Sequence, residues 1–225
     1  MSLKSKVIGL SRILSLLVKT IISLDIETIK LLPLWLKTLN GKYSINDHLP
    51  RLSLGAISWL KSYLNRGLIV FEYGSGGSTL FFRDFAKRVI SIEHDSYWAN
   101  KMQKSLNKKN RENYFYIPPV KSKGTKYVSS LKEYKGYSFK RYVRSIQKYP
   151  DKHFDLVLVD GRARVACLEE ATKKIKQGGY LMLDNSERKE YQTAMKKLAY
   201  ERKDFIGPSP YLANKFASTT IWKIK

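Results

Sequence analysis

The sequence is poor in the residues that staple or ligate. One cysteine, Cys167, in 225 residues excludes an internal disulfide framework. With histidine only at His48, His94 and His153, too few soft donors exist for a structural zinc site. A lone thiol fits a reducing, cytoplasmic compartment. Acids are also scarce: 19 Asp and Glu stand against 42 Lys and Arg, a formal net charge of +23. Such an excess implies an anionic partner, whether nucleic acid, membrane headgroups, or a phosphorylated or acidic substrate. Apolar character is not lacking. At 43% hydrophobic and 12% aromatic residues the chain can bury a core, which excludes a disordered protein.

Long unbroken apolar runs are absent as well. Residues 7–36 are rich in Leu and Ile, but Arg12, Lys19, Asp25, Glu27 and Lys30 interrupt them. A spanning helix needs about 20 predominantly apolar residues, so this stretch is not expected to span a membrane. Arg12 and Lys19 also argue against a secretory signal. Val7, Leu10, Leu14, Leu17, Ile21 and Leu24 recur at helical steps and form one stripe. That stripe reads as a helix packed on the domain or at a homo-oligomer interface. Alternatively it is a basic amphipathic helix making peripheral contact with an anionic membrane, or a mitochondrial transit peptide. Pro33 should end or kink it.

Residues 1–66 thus read as an N-terminal helical extension, with a second helix over 52–64 stopped by Asn65-Arg66-Gly67. From Gly67 the period changes. Strands are expected at 68–73, 88–93, 114–117, 154–159, 180–183 and 218–224, with helices at 80–86, 96–107, 165–176 and 189–200. Gly178-Gly179 would stop the third of these helices. Alternating strands and helices imply an α/β domain over 67–225. Its fold class is Rossmann-like and doubly wound: a mostly parallel seven-stranded sheet with helices on both faces.

The stretch 101–150 is lopsided. It carries 14 Lys and Arg against Glu112 and Glu133, and seven of the 15 tyrosines. About 119–150 it reads as a basic, Tyr-rich insertion longer than a crossover requires. It is either a solvated loop whose tyrosines pad the core or a substrate-facing cover. It and the N-terminal helix are expected to lie over the ligand cleft.

In an open parallel sheet, ligands bind beyond the carboxyl ends of the strands. The first strand there ends in Glu72-x-Gly74-x-Gly76-x-Ser78, where glycines allow a tight turn and close backbone approach. Glu93 follows Gly74 by 93 − 74 = 19 residues, the spacing at which a carboxylate grips a ribose diol. Asp160 and Asp184-Asn185 end two later strands. A nicotinamide dehydrogenase is the competing dinucleotide reading, but the third glycine of its loop is missing.

With these residues the sequence resembles the class I S-adenosylmethionine-dependent methyltransferases, from Gly67 to the C-terminus. FEYGSGGST (71–79), VISIEHD (89–95), FDLVLVDGR (154–162) and GGYLMLDN (178–185) carry the resemblance. It departs from the commonest pattern at Ser78, where a third glycine is usual, and at Ile117-Pro118-Pro119, where the acid that contacts adenine is missing. The likeness implies that Glu72, Gly74, Ser75, Gly76, Gly77 and Ser78 form the cofactor loop and that Glu93 holds the ribose. Asp160 would stand near the methionine amine and the reacting centre. His94 would stack on adenine, act as a base, or support Glu93.

The Asp160…Asp184-Asn185 arrangement resembles the metal-dependent small-molecule O-methyltransferases. The likeness implies Asp160, Asp184 and Asn185 as ligands of Mg²⁺ or another divalent cation. The lysine found three residues after the first Asp in catechol-type members is replaced by Ala163. Without a metal, Asp160 and Asp184 are the candidate catalytic groups, or they order loops. Arg162 and Arg164 would bind an anionic acceptor through their guanidinium forks, or cap carbonyls. The expected activity is O-methylation of a small anionic or sugar-like, glycan-like acceptor. The alternatives are an RNA methyltransferase binding through 101–150, and an inactive fold serving as a binding module.

Overall fold

The computed structural model describes residues 11, 14–15, 17–18, 21–22, 26–39, 41, 45–124 and 126–225. Helices α1 (Ile26–Lys30), α2 (Leu32–Leu39) and α3 (Leu54–Tyr63) precede β1 (Ile69–Tyr73), α4 (Gly77–Phe85) and β2 (Arg88–Glu93). Then come α5 (Ser96–Ser105), α6 (Lys108–Arg111), β3 (Tyr114–Tyr116), β4 (Val120–Lys121), β5 (Tyr137–Ser138) and α7 (Lys140–Val143). The chain closes with β6 (Phe154–Val159), α8 (Arg164–Thr172), β7 (Ile175–Asp184), α9 (Gln192–Lys196), β8 (Glu201–Ser209) and β9 (Leu212–Lys223).

Seven strands form one sheet in the order β3-β2-β1-β6-β7-β9-β8, and β4 pairs with β5 in a separate ribbon. The pairings among β3, β2, β1, β6 and β7 are parallel, whereas β9 runs antiparallel to both β7 and β8. The doubly wound, Rossmann-like architecture expected from the sequence is therefore present. Period-2 alternation explains its two cores. Val70, Leu156, Leu158, Met182 and Ile221 face Trp35, Leu54, Ile57 and Phe82 on one side. Phe71, Tyr73, Val157, Val159, Leu181 and Trp222 face Tyr142, Ile146, Cys167 and Leu168 on the other. Cys167 is a buried core thiol. Each such side chain contributes roughly 1.5–3 kcal/mol by leaving water.

Several expectations need correction. Gly178-Gly179 does not stop a helix. α8 ends at Thr172, and β7 runs through the glycines with a register shift opposite β6, Gly178 taking φ +80°. Strand β8 escapes a sequence reading because ERKDFIGPS alternates poorly and ends in Gly-Pro; α9 is also shorter than the predicted 189–200 helix. The chain does break at Leu31 beside Pro33, which sits in the first turn of α2.

The N-terminal segment does not cover the cleft among the described residues. Leu32 and Trp35 are buried on the face of the sheet against α3, within the same core as β1 and β6. Leu14 and Ile21 of the predicted stripe are exposed, and Leu17 packs against that same core. Val7, Leu10 and Leu24 lie outside the described residues. No helix among the described residues is long and apolar enough to cross a membrane.

Candidate active site

Register places the site. Tyr73 pairs with Ile92 on one side and Val159 on the other, and Val159 pairs with Leu183. The next residues of these four strands, Gly74, Glu93, Asp160 and Asp184, therefore emerge in one row at the carboxyl edge. The chain reverses direction of winding between β1 and β6, where such sheets open a crevice. A cavity of about 600 Å³ lies there, walled by Gly74, Ser75, Gly76, Ser78, Glu93, His94, Asp160, Arg162, Arg164, Asp184 and Asn185. Of the residues singled out from the sequence, only Glu72 and Gly77 are not on its wall.

Glycine is required at the turn. Gly74 has φ +89°, and a Cβ there would lie 2.9 Å from the Gly161 backbone, so the loops after β1 and β6 touch. Gly77 works elsewhere than expected: its Cβ would fall 2.3 Å from the Leu49 carbonyl, so it lets α4 dock on that loop.

Glu72 is fully buried beneath the loop. Its carboxylate accepts hydrogen bonds from the Ser78 hydroxyl, from Thr79 Oγ1 at 2.6 Å and from Ser91 Oγ at 2.8 Å. It braces the first turn of α4 rather than facing the cavity. Burial raises its pKa from 4.5 to about 7, although the three hydroxyls pull it back and Asp160 adds a smaller upward push. The folded state thus holds this proton more tightly than the unfolded chain. Its contribution to stability is complete below about pH 4.5 and lost as pH rises to about 7. Relative to wild type, Glu72→Gln should gain roughly 3 kcal/mol of stability across that window and nothing further above it. Paired urea titrations at successive pH values measure this; parallel curves for the two proteins would refute it.

Glu93 is nearly fully buried. Oε2 accepts from the Ser75 amide at 2.9 Å and its hydroxyl at 2.8 Å; Oε1 accepts from the His94 and Asp95 amides at 2.7 and 2.9 Å. His94 Nδ1 lies 2.8 Å from Oε1. Burial pushes the Glu93 pKa up, but His94 and the Asp95 and Ser75 hydrogen bonds outweigh it and hold the acid below its usual range. His94 Nε2 meets the Tyr134 hydroxyl at 3.1 Å, so its ring joins β2 to the insertion.

Arg164 is buried and its donors are spent within the protein. Nε donates to Gly161 O at 3.0 Å, Nη1 to the Asp184 carbonyl, and Nη2 to Asp160 O and Oδ1 at 3.0 and 2.9 Å. It clamps the ends of β6 and β7, the carbonyl-capping alternative left open by the sequence, and is not a free fork for substrate. The metal expectation fails on the same geometry. The guanidinium already stands between the two acids, 2.9 Å from Asp160 and 4.0 Å from Asp184. Asp184 Oδ1 accepts from Thr219, and Asn185 Oδ1 accepts from Arg188. This set does not fit a divalent cation, because a fixed guanidinium already stands between the two acids and one oxygen of each of the three residues already accepts a hydrogen bond. Among the described residues no group of three or more His, Cys, Asp or Glu could hold a metal.

Sequence reasoning missed Trp98, Arg51, Leu212 and Lys215, which also wall the cavity. Trp98 was findable: Asp95 caps α5, accepting from the Trp98 amide at 2.7 Å, which turns the first helical turn inward. Its indole donates to Ser75 O at 2.5 Å. Arg51, Leu212 and Lys215 arrive from distant loops and leave no local signal.

No family model and no curated protein matches the sequence. Solved structures do match in fold. One is described as an rRNA methylase from Clostridium thermocellum, with TM-score 0.51 and 18% identity, covering 78% of this chain and 98% of that one. Another, an rRNA methylase from Streptococcus thermophilus, has TM-score 0.50 and 12% identity, covering 76% and 95%. A Streptococcus mutans protein described as a methyltransferase, in complex with SAH, has TM-score 0.50 and 14% identity, covering 75% and 95%.

Proposed function

Starting from a chain with the class I methyltransferase fold, we propose that it is an S-adenosylmethionine-dependent methyltransferase acting on an oxygen of a small anionic or sugar-like acceptor. The observation that carries this reading is the single row of Gly74, Glu93, Asp160 and Asp184 around one 600 Å³ cavity. That volume suits a nucleoside joined to an amino acid. The tight turn at Gly74 brings backbone close to the ligand, and Glu93, whose pKa His94 and the Asp95 and Ser75 hydrogen bonds hold low, is the acceptor for a ribose diol. The Ser75 hydroxyl on Glu93 marks the place of an incoming hydroxyl; once displaced it keeps its 2.9 Å contact with the Tyr114 hydroxyl.

When bound, the cofactor supplies an electrophilic methyl group on a sulfonium. The protein's part is alignment and proton management. Asp160, 28% exposed, follows β6 on the cavity wall, and Arg164 orients it. It is the base that takes the acceptor's hydroxyl proton. Asp184 is buried; burial first, and then the charge of Asp160, hold its pKa well above the carboxylate range. Burial thus favours the neutral form of Asp184, and Asp160 is the more exposed of the two acids. Asp160→Asn should cut turnover by about 10²–10⁴-fold. Its affinity for S-adenosylhomocysteine should stay within a few-fold of wild type. An acceptor screen with methyl-labelled cofactor tests the whole reading: transfer to a small hydroxylated anion supports it, whereas cofactor binding without any transfer indicates a binding module.

The RNA reading rests on the charge and tyrosines of 101–150 and on the two solved structures of like fold described as rRNA methylases. Of the seven tyrosines in 101–150, Tyr114 and Tyr142 are buried, four are half-buried and Tyr116 alone is exposed. They pad the core rather than forming a stacking platform. Micromolar, salt-steep binding to single-stranded RNA in a filter assay would reverse this preference.

A further inference from the structure

Beside the cofactor cleft lies a second, smaller chamber of about 260 Å³. The two share Gly161, Arg162, Arg164 and Arg188 as a common wall. The insertion roofs the smaller chamber through Lys126, Ser129 and Ser130. It has space for roughly eight water volumes, which suits one substituent of an acceptor and not a nucleotide.

Its electrostatics are unbalanced. Arg164 is paired with Asp160 at 2.9 Å and its remaining donors are spent on carbonyls. The other three cations have no acid within ion-pair distance among the described residues. Arg188 donates only to neutral oxygens, Asn185 Oδ1 at 2.9 Å and the Tyr191 hydroxyl at 3.5 Å. Lys126 lies over the Tyr127 ring at 5.5 Å. The Arg162 guanidinium stacks over Tyr134 at 5.8 Å, and its buried Nε has no hydrogen-bond partner. Glu190 is the single acid on the wall. A buried guanidinium N–H left unpaired is costly, and gathering like charges around a cavity adds repulsion. An anion entering the chamber relieves both.

We propose that this chamber is the acceptor subsite and binds the acceptor's anionic group, a carboxylate or a phosphate, between Arg162 and Arg188 with Lys126 closing the outer side. The proposal rests on the methyltransferase reading for the word acceptor, and on the chamber itself for the anion. It also gives the basic insertion a task, because residues 126–131 bring the roof to the ends of β6 and β7.

The test is calorimetry on the full chain loaded with S-adenosylhomocysteine, at constant ionic strength, with inorganic phosphate and benzoate as probes. At least one probe should bind saturably at one site below about 50 mM. Lys126→Met and Arg188→Met should each weaken it about 10-fold or more, as loss of a charged hydrogen bond does. Lys126→Met, which touches only the second chamber, should leave affinity for S-adenosylhomocysteine unchanged, and thermal melts of both variants exclude misfolding. Preference for phosphate or for benzoate tells a tetrahedral anion from a planar carboxylate. Absence of saturable probe binding, or binding equal in wild type and both folded variants, overturns the proposal. If the probes bind as expected but S-adenosylhomocysteine does not bind at all, the anion site stands and the methyltransferase reading falls.

Discussion

Glu93→Ala is expected to weaken S-adenosylhomocysteine binding by on the order of 100-fold, with turnover lost in proportion at ordinary cofactor concentrations. Two losses combine. The ribose diol loses its charged acceptor, and the cofactor loop loses the carboxylate to which Ser75 donates twice, at 2.9 and 2.8 Å. Glu93→Gln separates them, because it keeps the size and one acceptor oxygen and should recover part of the affinity. Titration calorimetry measures both variants. Wild-type affinity in Glu93→Ala would remove the central support for the cofactor reading.

The second large effect is expected at Gly161, in the contact between the loops after β1 and β6. A Cβ there would lie 1.9 Å from the Tyr142 hydroxyl and 3.0 Å from the Gly74 amide. Tyr142 is fully buried in the core, so its ring cannot swing away. Gly161→Ala should therefore cost about 3 kcal/mol or more in urea unfolding and displace the Gly74 turn, lowering cofactor affinity as well. The Tyr142 hydroxyl is buried without a hydrogen-bond partner, so Tyr142→Phe alone should be close to neutral. Combined with Gly161→Ala it should restore part of the lost stability, leaving the 3.0 Å approaches to the Gly74 amide and to the ring Cζ at position 142 as the residual cost. Strictly additive effects of the two substitutions would show that the clash is relieved some other way.

Much of this protein was legible along the chain. Local chemistry announced β1, β2 and β6, because strands buried on both faces read as continuous apolar runs, and each ended in a carboxylate or glycine that an apolar run does not otherwise need. The turn at Gly74 and the spacing to Glu93 are local too, since backbone conformation and a single crossover fix them. Asp95 before Ser96 is a local cap signal of the same kind, though sequence reasoning did not use it to find Trp98. Sequence alone thus determined the doubly wound architecture and the row of acids at its edge.

The role of each charged group was decided only by tertiary structure. Arg162 and Arg164 are two residues apart and look equivalent in sequence. The αL turn at Ala163 and the start of α8 bury Arg164 between two strand ends, where it meets Asp160 and Asp184, and leave Arg162 stacked on Tyr134 beside a chamber. The same packing put a guanidinium where a metal was expected, buried Glu72 under the loop it braces, and turned most of the tyrosines of 101–150 inward. Charge pairing depends on distances between segments far apart in the chain, and residue type and spacing do not encode those distances. The fold follows from patterns within each element; the chemistry follows from which elements the sheet sets side by side.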